Sequence, residues 1–306
     1  MYNNQRWHNY KVIGKNFYIN RNVEKALEFY KKAYALGGNK DVELLLDMAL
    51  IYDELYDYIE EEKVYNKVLS INPKDERAYY GLAIIYDNEG DYNKAIEYYE
   101  KAIDLNPNYN RAYFFLAGVY DNIDKKDLAI KCYEKVISMD EDDFWSYTNL
   151  ASIYEELGEY KKALKIIEKS LRIYPDHYMA AFNKAVILNN LNELEQAKRF
   201  YELSIEDNEN YPYSYLNLAV IYRENNQYKK AIEIISEGIN KNPQEGFLYY
   251  NRACYYVNLK EYDKALNDLN KAVELYPEFI KYIVEDEELN PLKNIKAYYE
   301  LIKSNT

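Results

Sequence analysis

Residues 76–109, ERAYYGLAIIYDNEGDYNKAIEYYEKAIDLNPNY, are the stretch that the rest of the chain copies. Tyr79, Leu82, Ala83 and Tyr86 fall at i, i+3, i+4 and i+7, which predicts the apolar stripe of a first helix; Ile96, Tyr99, Ala102 and Ile103 predict a second. Gly90 and Asp91 break the run between them. Asn106 and Pro107 end the second helix, because the residue before a proline avoids helical geometry. The stretch therefore predicts a helical hairpin. Ala83 and Ala95 have no bulk, so two backbones can approach closely there, and a larger residue would overpack by about 1 to 3 kcal/mol.

Numbered 1 to 34, the stretch puts Tyr79 at position 4, Leu82 and Ala83 at 7 and 8, Tyr86 at 11, Ala95 at 20, Tyr99 at 24, Ala102 at 27 and Pro107 at 32. These are the signature places of the tetratricopeptide repeat, which the stretch closely resembles. Upstream lie a diverged unit at 7–41, with Gly14 at the small position, and a second at 42–75. Downstream follow 110–143, 144–177, 178–211, 212–245 and 246–279, all with an alanine at position 8: Ala117, Ala151, Ala185, Ala219 and Ala253. Tyr52, Tyr86, Tyr120, Tyr154, Tyr222 and Tyr256 hold position 11, which accounts for part of a total of 39 tyrosines. The fold expected is all-α, with a repeat domain over 1–279 made of eight hairpins. The resemblance implies a right-handed superhelical solenoid whose first helices line a concave groove. One place departs from the pattern: Glu61 stands where alanine is expected. A carboxylate in that contact is costly unless it reaches water along its stem, so this hairpin is expected to be splayed or rotated.

Residues 280–306 change character. Asn290 before Pro291 predicts an N-cap and a first helical residue, and Leu292, Ile295, Tyr299 and Ile302 give one apolar stripe. Stacked repeats need a polar-backed terminal element, so a C-terminal capping region is expected here, with a docking helix for a partner as the alternative.

Composition narrows the partners. The chain has 306 residues, a formal net charge of −13 and 30% charged residues, which argues against a nucleic-acid backbone as partner. No apolar run approaches a membrane span and the N-terminus does not read as a signal peptide. A cytoplasmic location without membrane attachment is expected. Cys132 and Cys254 belong to different units, which fits a reduced compartment. No cofactor or metal is expected: His8 and His177 have no paired nucleophile or ligand spacing, and the acidic run 140–143 lacks the glycine of a calcium loop.

Helical spacing gives the candidate site. With positions 4, 7, 8 and 11 buried, positions 2, 5, 6, 9, 12 and 13 form the other face of each first helix. At position 6 the last four units carry Asn149, Asn183, Asn217 and Asn251, whereas the first four carry Val12, Asp47, Gly81 and Phe115. An asparagine amide offers a donor and an acceptor, so it can pair with a peptide backbone without reading side chains. With helices roughly 8 to 10 Å apart and a strand rise of about 3.3 Å, one asparagine would meet about every third peptide residue. This resembles the asparagine ladders by which superhelical tetratricopeptide proteins grip extended peptides; the alternative is that asparagine is simply common at this place. Trp145, Met179, Tyr213 and Phe247 at position 2, with Phe182 and Tyr250 at position 5, are candidate anchors, or else interhelical packing. Asp53, Asp87, Asp121, Glu155 and Glu224 form an acidic rim, interrupted by Arg77, Arg111 and Arg223, that favours a basic protein or peptide; the alternative is an ordinary solvated face. Lys11, Lys15 and Asp47 break the pattern by which relatives clamp chaperone tails.

The reading expected is a non-catalytic interaction scaffold, with a monomer favoured over an oligomer. Two alternatives stand beside it: a peptide-sensing regulator whose solenoid tightens on its ligand, and the substrate-selecting arm of a larger enzyme. A chain ending at Thr306 is expected to exclude the second.

Overall fold

Every hairpin but one closes on residues that have almost no side chain. Ala49, Ala83, Ala117, Ala151, Ala185, Ala219 and Ala253 in first helices, and Ala26, Ala95, Ala129, Ala163, Ala197, Ala231 and Ala265 in second helices, are all fully buried. Burying so small a side chain lets the two backbones approach, and the larger neighbours fill the space around them.

The computed structural model describes residues 2–305, and among them there is no strand. The chain divides into two units, 1–141 and 142–306. The first unit holds α1 (Tyr2–Ile19), α2 (Val23–Ala35), α3 (Val42–Glu54), α4 (Tyr58–Ile71), α5 (Glu76–Asn88), α6 (Tyr92–Leu105), α7 (Asn110–Asn122) and α8 (Lys126–Met139). The second holds α9 (Phe144–Glu156), α10 (Tyr160–Ile173), α11 (Tyr178–Asn190), α12 (Leu194–Asp207), α13 (Pro212–Glu224), α14 (Tyr228–Lys241), α15 (Gly246–Asn258), α16 (Tyr262–Leu275), α17 (Phe279–Glu285) and α18 (Lys296–Asn305). Within each unit consecutive helices pair as hairpins, and the second helix of a hairpin packs against the first helix of the next.

The turns inside the hairpins use one backbone device. Residues 56, 90, 124, 158, 192, 226 and 260 all lie in the left-handed region, with φ between 58° and 76°. Glycine meets this at no steric cost at Gly90 and Gly158, whereas Tyr56, Asp124, Asn192, Asn226 and Lys260 adopt it at a cost of about 1 kcal/mol each. Aspartates then open several helices: the side chains of Asp41, Asp57, Asp91 and Asp143 each accept a hydrogen bond from a backbone N–H in the first turn that follows.

The structure decides the condition left open at Glu61 and differs from expectation at the C-terminal end. Glu61 does not reach water along its stem; it is 2% exposed, and its Oε2 has no hydrogen-bond partner in the protein. At the C-terminal end, Pro291 belongs to a 3-10 turn, Glu287–Leu292, and the last helix starts only at Lys296. The turn is opened by Asp286, whose side chain accepts from the backbone N–H of Glu288 at 2.8 Å, so the Asn290 cap is not used. The apolar stripe consequently shifts by one residue: Leu292, Tyr298 and Leu301 are buried, while Tyr299 faces solvent.

Candidate functional site

On the face formed by positions 2, 5, 6, 9 and 12, the first unit opens into a cavity of about 560 Å³ between α3, α4, α5 and α7. Two of its lining residues depart from the repeat. Gly81, at position 6 of α5, has no side chain, and a Cβ built there would fall inside the Tyr65 ring. Tyr65 therefore packs its ring directly against the α5 backbone at Gly81. Beside it, Glu61 replaces the alanine that closes the other hairpins.

The electrostatics of this cavity are unequal. Arg77 is spent locally: its Nε and Nη2 donate to Asp75 at 3.0 and 2.9 Å, and its Nη1 donates to Glu43 at 2.8 Å. Arg111 lies over the Tyr80 ring, 5.4 Å from its centre. Asp47 accepts from the Tyr30 hydroxyl at 3.2 Å and Asp87 from the Tyr99 hydroxyl at 3.3 Å. Burial pushes both of these carboxyls up from their ordinary range, the hydroxyl donors opposing it. Glu61 has no such donor. Burial first, and the like charge of Asp53 second, push its carboxyl up to about 8.

The second unit is built differently. The asparagines at position 6 are half-buried and turn part of their polarity inward. Asn183 Nδ2 donates to Ser152 Oγ at 3.3 Å, and Asn251 Nδ2 to the Phe247 carbonyl of its own helix at 2.8 Å. Asn183 also lines a small cavity of about 110 Å³ with Ser152, Glu155 and Phe182.

The aromatic candidates are brought together. Trp145 meets His177 edge-on at 5.2 Å, His177 stacks on Tyr178 at 5.2 Å, Tyr178 meets Tyr211 at 5.1 Å, Tyr211 meets Tyr213 at 5.4 Å, and Tyr213 stacks on Phe247 at 5.3 Å. Phe182 joins this row through Tyr211, at 5.2 Å. The row links α9, α11, α13 and α15. Its outer members remain open to solvent, Trp145 at 44% and Tyr213 at 49% exposed. His177 also caps α11, its Nδ1 accepting from the Met179 N–H at 3.3 Å.

Other candidates are engaged by the chain itself. Tyr250 donates its hydroxyl to Asp286 at 2.5 Å, and Arg223 pairs with Glu288, so the turn after α17 lies on the position-5 and position-12 side of the last two repeats. Cys254 is buried and donates to Asp286 at 3.7 Å. Asp121 pairs with Lys126 at 2.7 Å and Glu155 accepts from Asn190 at 2.8 Å, while Glu224 is exposed. Periodicity marks this face in the sequence, but not the cavity in the first unit. The available signal was the pair of departures, Glu61 and Gly81, which fall in different units and meet only in three dimensions.

Among the described residues no group of histidine, cysteine and acidic side chains could hold a metal, and no helix is long and apolar enough to cross a membrane.

Comparison with known proteins places these features in context. Segments 42–75, 76–109, 111–143, 132–165, 180–211, 200–233 and 246–279 match family models described as tetratricopeptide repeat, together covering more than half of the chain. Residues 14–38 and 234–255 match the Sel1 repeat. No curated protein matches the chain as a whole. Among solved structures, a tetratricopeptide repeat protein from Parabacteroides merdae is similar at 16% identity, covering 86% of this chain and 98% of its own, with a TM-score of 0.64. The pilF protein of Pseudomonas aeruginosa is 21% identical over 69% of this chain and 97% of its own, with a TM-score of 0.57. The MamA protein is 24% identical over 56% of this chain and 93% of its own, with a TM-score of 0.51. At these identities the likeness is one of fold.

Proposed function

The chain belongs to the tetratricopeptide repeat family, and from that footing we propose that it is a non-catalytic scaffold that holds an extended segment of a partner protein against the outward face of its first helices. A cytoplasmic location is part of this reading. A fold of this kind brings no chemistry of its own, so function has to be argued from the surface.

The observation that carries the reading is the aromatic row of the second unit. Six rings from Trp145 to Phe247 run in unbroken contact across four first helices, with Trp145 and Tyr213 substantially exposed. Ring-to-ring contact holds each side chain in place before a partner arrives, so little side-chain entropy remains to be lost on binding. Rigid aromatic groups set beside polar amides suit a segment that offers apolar side chains and a hydrogen-bonding backbone.

The test is selection of a display library of random peptides of about twelve residues on the intact protein. Enriched peptides are expected to lose about tenfold or more in affinity for Tyr213→Ala with Phe247→Ala, and less for Asn183→Ala, because that amide already has an internal partner. Failure to enrich any peptide above an unrelated helical protein, or equal binding by the aromatic double variant, would sink the reading.

A further inference from the structure

Glu61 is the one carboxyl side chain among the described residues that is both almost wholly buried and left with an unpartnered oxygen, and it lines the cavity of the first unit. An unpaired carboxylate in such a place is costly, and two arrangements would have removed the cost cheaply. Alanine at position 20, as in seven other hairpins, would have left nothing to desolvate. Arg77 or Arg111 could have turned to meet it, yet Arg77 is held by Asp75 and Glu43, and Arg111 by Tyr80. The charge that acts on Glu61 is that of Asp53, which has the same sign.

The walls supply what a long basic side chain needs. Leu46, Leu50 and Ile84 line the cavity and offer apolar surface to an aliphatic stem, and Leu50 is half exposed, so the cavity is reached from solvent. Tyr65, Asp53 and Asp87 line the same cavity. A cation entering there meets a carboxyl with no competing partner, which releases its proton to pair with the charge in surroundings where water screens the attraction weakly. An anion meets Glu61, Asp53 and Asp87 together, and an apolar group leaves Glu61 as costly as before.

We propose that this cavity binds the side chain of a lysine or arginine carried by the partner segment, with Glu61 as the residue that receives its charge. The inference rests on the reading of the protein as a scaffold for partner segments, and it adds a second contact point, chemically unlike the aromatic row and in the other unit.

The test uses three capped amino acids as probes on the full-length protein, followed by calorimetry or by NMR shifts of unit-one amides: Nα-acetyl-lysine methylamide, its arginine counterpart, and the norleucine analogue that keeps the stem and lacks the charge. One of the basic probes is expected to bind saturably and about tenfold or more tighter than norleucine, and to lose that margin in Glu61→Gln but not in Asn183→Ala. Because Glu61→Gln keeps the side-chain shape, its helical circular dichroism should match the parent; if it does not, Asp53→Asn serves as the second variant and is expected to weaken the basic probe by a smaller factor. Equal binding of lysine, arginine and norleucine probes, or a Glu61→Gln protein that binds the basic probe as well as the parent, overturns the proposal while the peptide selection on the aromatic row still stands. Basic probes that bind when the selection yields no peptide overturn the assignment to a partner segment.

Discussion

Replacing Glu61 by glutamine should make the protein less sensitive to alkaline pH, and the size of the effect follows from where the carboxyl sits. Its ordinary value of 4.5 is pushed up to about 8, burial being the larger cause and Asp53 the smaller. Between those two values the folded protein holds a proton that the unfolded chain has released. Stability contributed by the neutral acid is therefore fully present below about pH 4.5 and is lost as pH rises through about 8. Each pH unit in that window is worth about 1.4 kcal/mol, so crossing most of it costs on the order of 4 kcal/mol. Glutamine has the same shape and cannot ionise. The assay is urea unfolding of Glu61→Gln and its parent at about pH 5 and about pH 9, in a Trp145→Phe background, so that the fluorescence comes from Trp7 in the same unit as Glu61. Subtracting one protein from the other removes the contributions of Asp47 and Asp87, which are common to both. The two should be of similar stability at the lower pH and the variant clearly more stable at the higher. A difference that stays constant across the range would mean that the carboxylate is solvated or paired in solution, and the burial argument would fail.

Gly81→Ala should lower stability by about 1 to 3 kcal/mol and shrink the cavity, because the new methyl group lands in the Tyr65 ring; an unchanged melting temperature would show that the ring has room to move aside. Tyr56→Gly and Lys260→Gly should each raise stability by about 0.5 to 1 kcal/mol, since both residues hold φ near 60° in their turns and both are exposed; a loss of stability in chemical denaturation would contradict this. Asp286→Ala removes the acceptor of Tyr250 and the cap of the 3-10 turn, so amide exchange over 287–292 should quicken, and unchanged protection would mean that Leu289 and Leu292 alone hold the turn. Burial, with Glu100 adding to it, pushes the Cys132 thiol up to about 11, so its alkylation at mildly alkaline pH should be slower than that of free glutathione, and an equal rate would place the thiol in water.

The hairpin and its interval follow from local pattern alone. The alanines at positions 8 and 20 specify helix crossings between neighbours in the chain, and contacts made over one interval repeat whenever the interval does. The same pattern also marked the outward face of the first helices, because 3.6-residue periodicity divides a helix into sides without reference to anything beyond it. What it left open depended on partners distant in sequence. The proton affinity of Glu61 follows from the closing of Tyr65 against Gly81 and from Asp53 on another helix; the inward bond of Asn183 follows from Ser152. The engagement of Tyr250 and Arg223 follows from a turn 36 and 65 residues further along. Local pattern fixes which residues face outward, but only the packed structure decides which of those find a partner within the protein and which are left for another molecule to meet.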